Sequence, residues 1–126
     1  MNLDSLKYAA THEWIDAQGD AGTVGITRFA VDQLTDLVFV ELPAVGKKLS
    51  AGAPFGVVES VKAVSDIYAP VAGEVIAIND AVVREPALLS EDPYEKGWLI
   101  KLRLDNASDV GRLMSKGDYE ASCHSH

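Results

Sequence analysis

The chain has 126 residues, of which 48% are hydrophobic, and a formal net charge of −8. This length is sufficient for one domain with one continuous core. The acidic balance argues against nucleic acid or an anionic membrane as the main partner, because both favour clusters of Lys and Arg. No apolar run in the sequence approaches the length of a membrane span.

The N-terminal residues and the single cysteine bear on the cellular location. Residues 1–7 lack both the charged and apolar regions of a secretory signal and the Arg-rich character of an organellar transit peptide. Cys123 is the one cysteine, which excludes an internal disulfide and fits a reducing compartment. We therefore expect a cytoplasmic protein, with a mitochondrial-matrix location only if a transit peptide has been removed.

The first half of the chain predicts three strands and one short helix. Thr27 is placed to cap a helix that ends at Leu34. Pro43 stops the third strand, and a loop with a glycine near each end follows over residues 45–54. Turn-forming residues occupy positions 16–20. The predicted strands cover residues 8–15, 23–27 and 36–42.

The second half predicts a hairpin over residues 55–68, a strand over 74–78 and another over 98–104. The last of these alternates cleanly, with Trp98, Ile100, Leu102 and Leu104 on one face and Lys101 and Arg103 on the other. Residues 84–97 are predicted to be a loop. A helix is expected from Ser108, with a break near Gly117 and a continuation over 116–122. Many short antiparallel strands with peripheral helices indicate a sandwich or flattened barrel.

The bend of the 55–68 hairpin has unusual turn chemistry. Tight hairpins normally use Gly or Asn at the tip, whereas Val61 and Lys62 stand there and favour a type I-like turn. An exposed ε-amine on a short, rigid turn is a suitable target for acylation by a modifying enzyme. A lysine at a hairpin tip is, however, more often simply solvated. The residues alone leave both interpretations open.

No catalytic or metal-binding constellation is visible elsewhere. His12 is expected to be a structural or surface imidazole, because no nucleophile is paired with it in a recognisable pattern. Cys123, His124 and His126 superficially offer metal ligands, but a frayed terminus is the simpler expectation. The glycine-rich segments lack the patterns of a nucleotide site. Hydrolytic or metal catalysis is therefore not supported by these residues.

The hairpin sequence closely resembles the lipoyl-attachment region of glycine cleavage system H proteins. The resemblance is carried by Val-Val-Glu-Ser-Val-Lys-Ala-Val-Ser-Asp at 57–66 and Tyr-Ala-Pro-Val-Ala-Gly-Glu-Val at 68–75. It extends to His12-Glu13-Trp14 and to residues 38–43 and 91–101. It implies a mainly β, lipoyl/biotinyl-type flattened barrel (a barrel-sandwich hybrid) of two antiparallel sheets, with short peripheral helices and a C-terminal helix. One domain would span residues 1–126, with a core over about 7–120 and a tail over 121–126.

The same resemblance implies that Lys62 carries (R)-lipoate in amide linkage. The arm would take the aminomethyl group of glycine from the P-protein to the T-protein and deliver electrons to the L-protein. Lipoate-attaching enzymes would be further partners, and the carrier would be a monomer. Glu13 and Asp66 correspond to family positions implicated in docking the loaded arm, and Thr11 lies beside them in this candidate cleft.

Some residues depart from the family pattern, and other functions compete with the carrier. Arg28, Gln33 and Thr35 stand near positions where many members have an acidic residue, a histidine or a glycine, which leaves the details of arm docking open. One alternative is a lipoyl relay that supplies lipoate to other complexes. A biotin carrier is disfavoured, because its turn usually has Met on both sides of Lys, where Val61 and Ala63 stand here. An unmodified binding module is the remaining alternative.

Overall fold

The computed structural model describes residues 5–124, which form two antiparallel sheets with short helices around them. The described strands are β1 (Lys7–Tyr8), β2 (Glu13–Gln18), β3 (Ala21–Ile26), β4 (Leu37–Glu41), β5 (Lys48–Leu49), β6 (Pro54–Ser60), β7 (Val64–Tyr68), β8 (Gly73–Ile78) and β9 (Ile100–Leu104). The helices are α1 (Arg28–Leu34), α2 (Asp80–Arg84), α3 (Ala87–Glu91) and α4 (Lys116–His124), with a 3-10 helix over Ala107–Arg112.

The two sheets differ in size and in strand order. The larger has six strands in the order β1-β2-β3-β9-β8-β5, and the smaller has three in the order β4-β6-β7. Every strand pairing among the described residues is antiparallel. The prediction of a mainly β fold built from two antiparallel sheets is therefore confirmed. In the smaller sheet, β6 is the central strand and β7 is an edge.

Two hydrophobic clusters hold these layers together. The main cluster joins buried side chains of both sheets, including Val24 and Ile100 from the larger sheet and Val58 and Ile67 from the smaller. The alternation predicted for β9 is confirmed, since its burial pattern is buried, exposed, buried, exposed, buried. Such burial of apolar side chains is the dominant favourable term in folding.

The second cluster attaches the C-terminal helix to the larger sheet. Leu6, Tyr8, Trp14 and Tyr119 form it, and the rings of Tyr8 and Tyr119 stack with their centroids 4.8 Å apart. Trp98 packs against this cluster, whereas Ile100, which the alternation placed on the same face, belongs to the main one. The helix α4 is therefore an integral part of the domain.

Helix α1 begins and ends where the sequence predicts. The Thr27 hydroxyl accepts a hydrogen bond from the Ala30 backbone N–H at 3.2 Å, as expected of an N-cap residue. Val31, a residue with weak helix propensity, is the one buried side chain of this helix. Tertiary burial therefore compensates for its low propensity.

Several boundaries differ from the sequence prediction. The predicted turn at 16–20 begins later, because β2 continues to Gln18 in register with β3. The predicted loop at 45–54 contains β5, and the loop at 84–97 contains α3. Helix α4 extends to His124, so the first four residues of the predicted tail are helical, and residues 125–126 lie outside the described part. No helix within residues 5–124 is long and apolar enough to cross a lipid bilayer.

Candidate functional site

Lys62 lies exposed at the tip between β6 and β7, on a turn that Ser60 closes. The Ser60 N–H donates to the Ala63 carbonyl at 2.8 Å. The Ser60 hydroxyl oxygen in turn accepts from the backbone N–H groups of Lys62 at 3.3 Å and of Ala63 at 3.0 Å. Neither tip residue has positive φ. A serine side chain thus provides the acceptor for this turn, so that no glycine is required.

A further hydrogen bond joins the tip to the neighbouring strand. The Val61 N–H donates to the Asp36 carbonyl, at the residue that precedes β4, at 3.0 Å. The turn is therefore held from two sides, by its own strands and by the chain leading into β4. The Lys62 side chain is therefore exposed on a tip whose backbone is hydrogen-bonded on both sides.

A cavity of about 130 Å³ lies where the start of β2, helix α1 and strand β7 meet. Thr11, Glu13 and Asp66, which the resemblance placed in one cleft, all line it. The remaining wall is largely aliphatic, and the lining residues are Thr11, His12, Glu13, Ile26, Ala30, Gln33, Leu34, Val58, Ser65, Asp66 and Ile67. The structure therefore brings together the cleft residues that are dispersed in sequence.

Glu13 is the buried charge-bearing group of this cavity, with 1% of its surface exposed. One carboxylate oxygen accepts a hydrogen bond from the Thr11 hydroxyl, and the other accepts from the Tyr68 N–H at 3.2 Å. Burial raises the pKa of the Glu13 carboxyl from 4.5 to about 7, because the hydrogen bonds only partly compensate for lost hydration. The carboxyl group can therefore change its charge near neutral pH.

His12 links this cavity to the C-terminal helix. Its backbone has φ of 78°, and its Nδ1 atom lies 2.7 Å from the Tyr119 hydroxyl. That hydroxyl is also 2.7 Å from the Thr27 hydroxyl at the start of α1. The imidazole has the structural role expected from the sequence. The sequence did not identify Tyr119, because it lies 107 positions away from His12 and no local pattern connects them.

Only one of the three departures from the family pattern reaches the cavity. Gln33 lines it. The Arg28 guanidinium instead donates to the carbonyl groups of Ser90 at 2.7 Å and Glu91 at 3.3 Å, which fastens α1 to α3. Thr35 ends α1 with φ of 67° and is not among the lining residues. Any effect of these departures on arm docking is therefore expected chiefly from Gln33.

Comparison with known proteins gives one consistent result. Residues 6–126 match the glycine cleavage H-protein family. The glycine cleavage system H protein of Carboxydothermus hydrogenoformans is 54% identical over 115 residues, covering 91% of this chain and 88% of the relative. A probable H protein of Haloarcula marismortui is 53% identical, covering 92% and 91%. The crystal structure of an H protein from Mycobacterium marinum is 42% identical, with a TM-score of 0.88, covering 96% of this chain and 98% of that one.

Proposed function

Because this chain belongs to the glycine cleavage H-protein family, we propose that Lys62 carries (R)-lipoate and that the arm shuttles the aminomethyl group of glycine. The arm would load at the P-protein, unload at the T-protein and be reoxidised by the L-protein. The observation that supports this most directly is an exposed Lys62 on a fixed turn, on the same hairpin as Asp66 and Ser65 of the Glu13 cavity.

The side chain of Lys62 suits covalent attachment. Its Nζ atom attacks the carbonyl carbon of an acyl adenylate, so that a C–N bond forms, the acyl–phosphate bond breaks, AMP departs and the nitrogen loses a proton. The fixed backbone of the turn positions this amine, since Ser60 and Asp36 hold it from both sides. Fixing a reactant in this way reduces the entropic cost of the reaction.

The Glu13 cavity suits a loaded arm that ends in an ammonium group. When bound, lipoate supplies a disulfide that accepts the aminomethyl group and is later regenerated by oxidation. The ionised Glu13 carboxylate would receive the ammonium group, while Thr11 and the Tyr68 N–H hold the carboxylate in place. The aliphatic wall, which includes Leu34, would reduce the access of water that hydrolyses the cargo.

Mass spectrometry of the protein from its native host tests the attachment. We expect a lipoyl-sized mass increment on the peptide that contains Lys62, and a consistently bare Lys62 would contradict the proposal. Turnover of glycine with purified P- and T-proteins then separates the carrier from the lipoyl relay. A lipoylated chain that supports no glycine turnover, yet donates lipoate to other complexes, would favour the relay.

A further inference from the structure

We propose that the exposed apolar side chains around Lys62 form the docking surface for the enzyme that attaches lipoate. This surface, the apolar collar, consists of Val38, Phe39, Val61 and Val64. The inference rests on the proposed lipoylation of Lys62 and adds to it the surface by which the attaching enzyme recognises this chain.

The collar is a cluster rather than a scatter of exposed side chains. Among the described residues six large hydrophobic side chains are exposed, and four of them are the collar residues, at 45% to 68% exposure. Phe39 pairs with Glu59, and Glu59 pairs with Val64. The side chains of Phe39, Glu59 and Val64 therefore share one face of the smaller sheet. Isolated exposed hydrophobic residues are normal, but four that lie at the same end of one small sheet point to an interaction site.

The charges beside the collar indicate the chemistry of its partner. One row farther from the tip, Glu41 pairs with Val57, and Val57 pairs with Asp66. Both carboxylate residues are exposed, and Glu59 lies between this row and Lys62. We call Glu41 and Asp66 the acidic row. The partner's matching surface would therefore be apolar opposite the collar and basic opposite the acidic row.

The position of Lys62 favours the attaching enzyme over the enzymes of glycine cleavage as the occupant. Amide formation requires the Lys62 Nζ atom itself to enter an active site, so the enzyme must cover the tip where Val61 and Val64 lie exposed. Enzymes that act on the loaded arm work at its far end. Loss of the collar should therefore slow attachment more than it slows later reactions of the arm.

A pair of matched double variants tests this inference. Val61→Thr with Val64→Thr changes two collar side chains, and Val45→Thr with Val83→Thr changes two exposed valines elsewhere. Threonine keeps the β-branched shape while replacing a methyl group with a hydroxyl. The assay incubates each unmodified protein with a lipoate–protein ligase, lipoate and ATP, and follows the intact mass. We expect kcat/KM to fall about tenfold for the collar pair, because it loses apolar contacts, and to stay at the wild-type value for the control pair.

Phe39→Ser distinguishes lost contacts from a distorted turn, because Phe39 lies on β4 outside the hairpin. We expect it to slow attachment as well, with a thermal unfolding midpoint close to that of the wild type. Equal attachment rates for the collar pair and the control pair would overturn the docking surface. So would slower attachment in the collar pair combined with a wild-type rate in Phe39→Ser. A wild-type chain that the ligase does not modify would instead contradict the proposed function.

Variants that are fully lipoylated by prolonged incubation test the choice of partner. With each lipoylated variant, we expect P-protein to catalyse exchange of the glycine carboxyl carbon at the rate that it reaches with the lipoylated wild type. An equal loss in attachment and in exchange would overturn the assignment of the collar to the attaching enzyme.

Discussion

Glu13 combines near-complete burial with a carboxyl group that titrates near neutral pH, which makes it the most informative single residue of the site. Above pH 7 its carboxylate can bind the ammonium group of the cargo, whereas the neutral amide of Glu13→Gln cannot. Because a charge-assisted hydrogen bond contributes about 2 kcal/mol, we expect methylamine-loaded Glu13→Gln to hydrolyse about thirtyfold faster at about pH 8. Glu41→Gln, at an exposed residue that does not line the cavity, is the control. Equal hydrolysis in wild type and Glu13→Gln would contradict a sheltering role.

The same carboxyl group should make folding stability depend on pH. Its pKa is about 7 in the folded protein against 4.5 without burial, so between these values the folded state binds more protons than the unfolded state. The free energy of unfolding therefore falls as pH rises through this window, by about 3 kcal/mol in total. Glu13→Gln lacks this group and should exceed the wild type in stability at about pH 8, with a smaller difference at about pH 4.5. Denaturant unfolding at both pH values measures the effect, and parallel changes in the two proteins would refute it.

Ser60 is the residue that allows Val61 and Lys62 to form a turn without positive φ. Its hydroxyl oxygen accepts hydrogen bonds from the backbone N–H groups of Lys62 and Ala63, and Ser60→Ala removes this acceptor from both. We expect a loss of about 1 kcal/mol in unfolding free energy and faster hydrogen exchange at the Lys62 and Ala63 amides. Ser65→Ala is a suitable control, since the Ser65 hydroxyl donates a long hydrogen bond to the adjacent Asp66 carbonyl at 3.4 Å and none to the turn backbone at Lys62 or Ala63. Unchanged exchange in Ser60→Ala would show that the serine does not hold the turn.

At the scale of elements, the pairing of β2 with β3 depends on a glycine opposite Trp14. Gly25 is paired with Trp14, and a Cβ atom there would lie 2.5 Å from the Trp14 ring. The ring cannot easily retreat, because its Nε1–H donates to the carbonyls of Ile26 at 3.1 Å and Pro93 at 3.2 Å. Gly25→Ala should therefore lower the free energy of unfolding by about 3 kcal/mol.

Gly22→Ala, on the same strand, is the matched comparison. Its new Cβ atom would approach the Ile15 Cδ1 atom at 2.7 Å, which is the movable end of a side chain. We expect a smaller loss, about 1 kcal/mol, in the same denaturant experiment. An equal effect of the two substitutions would show that overpacking against Trp14 is not the cause.

The elements that the sequence predicted well are those with long or repeated patterns. The five-residue strand β9 alternates throughout, and α1 has a capping threonine at its start. Helices α2 and α3 have five residues each, too short for helical periodicity to appear. Strand β8 ends at Ile78, as the sequence predicts, and the next residue, Asn79, accepts a hydrogen bond from the Ala81 N–H and caps α2, which the sequence analysis did not foresee. Such a residue is compatible with either a turn or a cap until tertiary packing decides.

The candidate site was predictable only in part, for a related reason. Lys62 stands in a continuous motif, so one stretch of sequence identifies it. The shared cavity of Glu13 and Asp66 instead requires β2 and β7 to meet across two sheets, which depends on the fold. The hydrogen bond between His12 and Tyr119 depends on the docking of α4 and has no local pattern at all. Residue identity was thus accessible from sequence, whereas contacts between distant segments were not.

At the scale of the whole molecule, the proposed attachment residue and the proposed cargo cavity draw on different sheets. Lys62 lies in the turn between β6 and β7 of the three-stranded sheet, and Glu13 lies on the six-stranded sheet. The Tyr68 N–H of β7 donates to Glu13 at 3.2 Å and so links the two sheets. The packing of one sheet on the other would therefore fix where the proposed arm starts relative to where its cargo would be held. A rigid core would suit a carrier, because only the proposed arm would then have to move between the partner enzymes and the cavity.

The net charge of −8 should act on encounters with the attaching enzyme, through the acidic row beside the apolar collar. Salt screens such long-range attraction, so we expect kcat/KM for lipoylation to fall as NaCl rises from about 0.05 to about 0.5 M, mainly through KM. Glu41→Gln should make this dependence shallower because it removes one charge of the row. Asp20→Asn changes the same net charge in the β2–β3 turn of the other sheet and should leave the slope unaltered. If both variants changed the slope equally, total charge rather than the acidic row would govern the encounter.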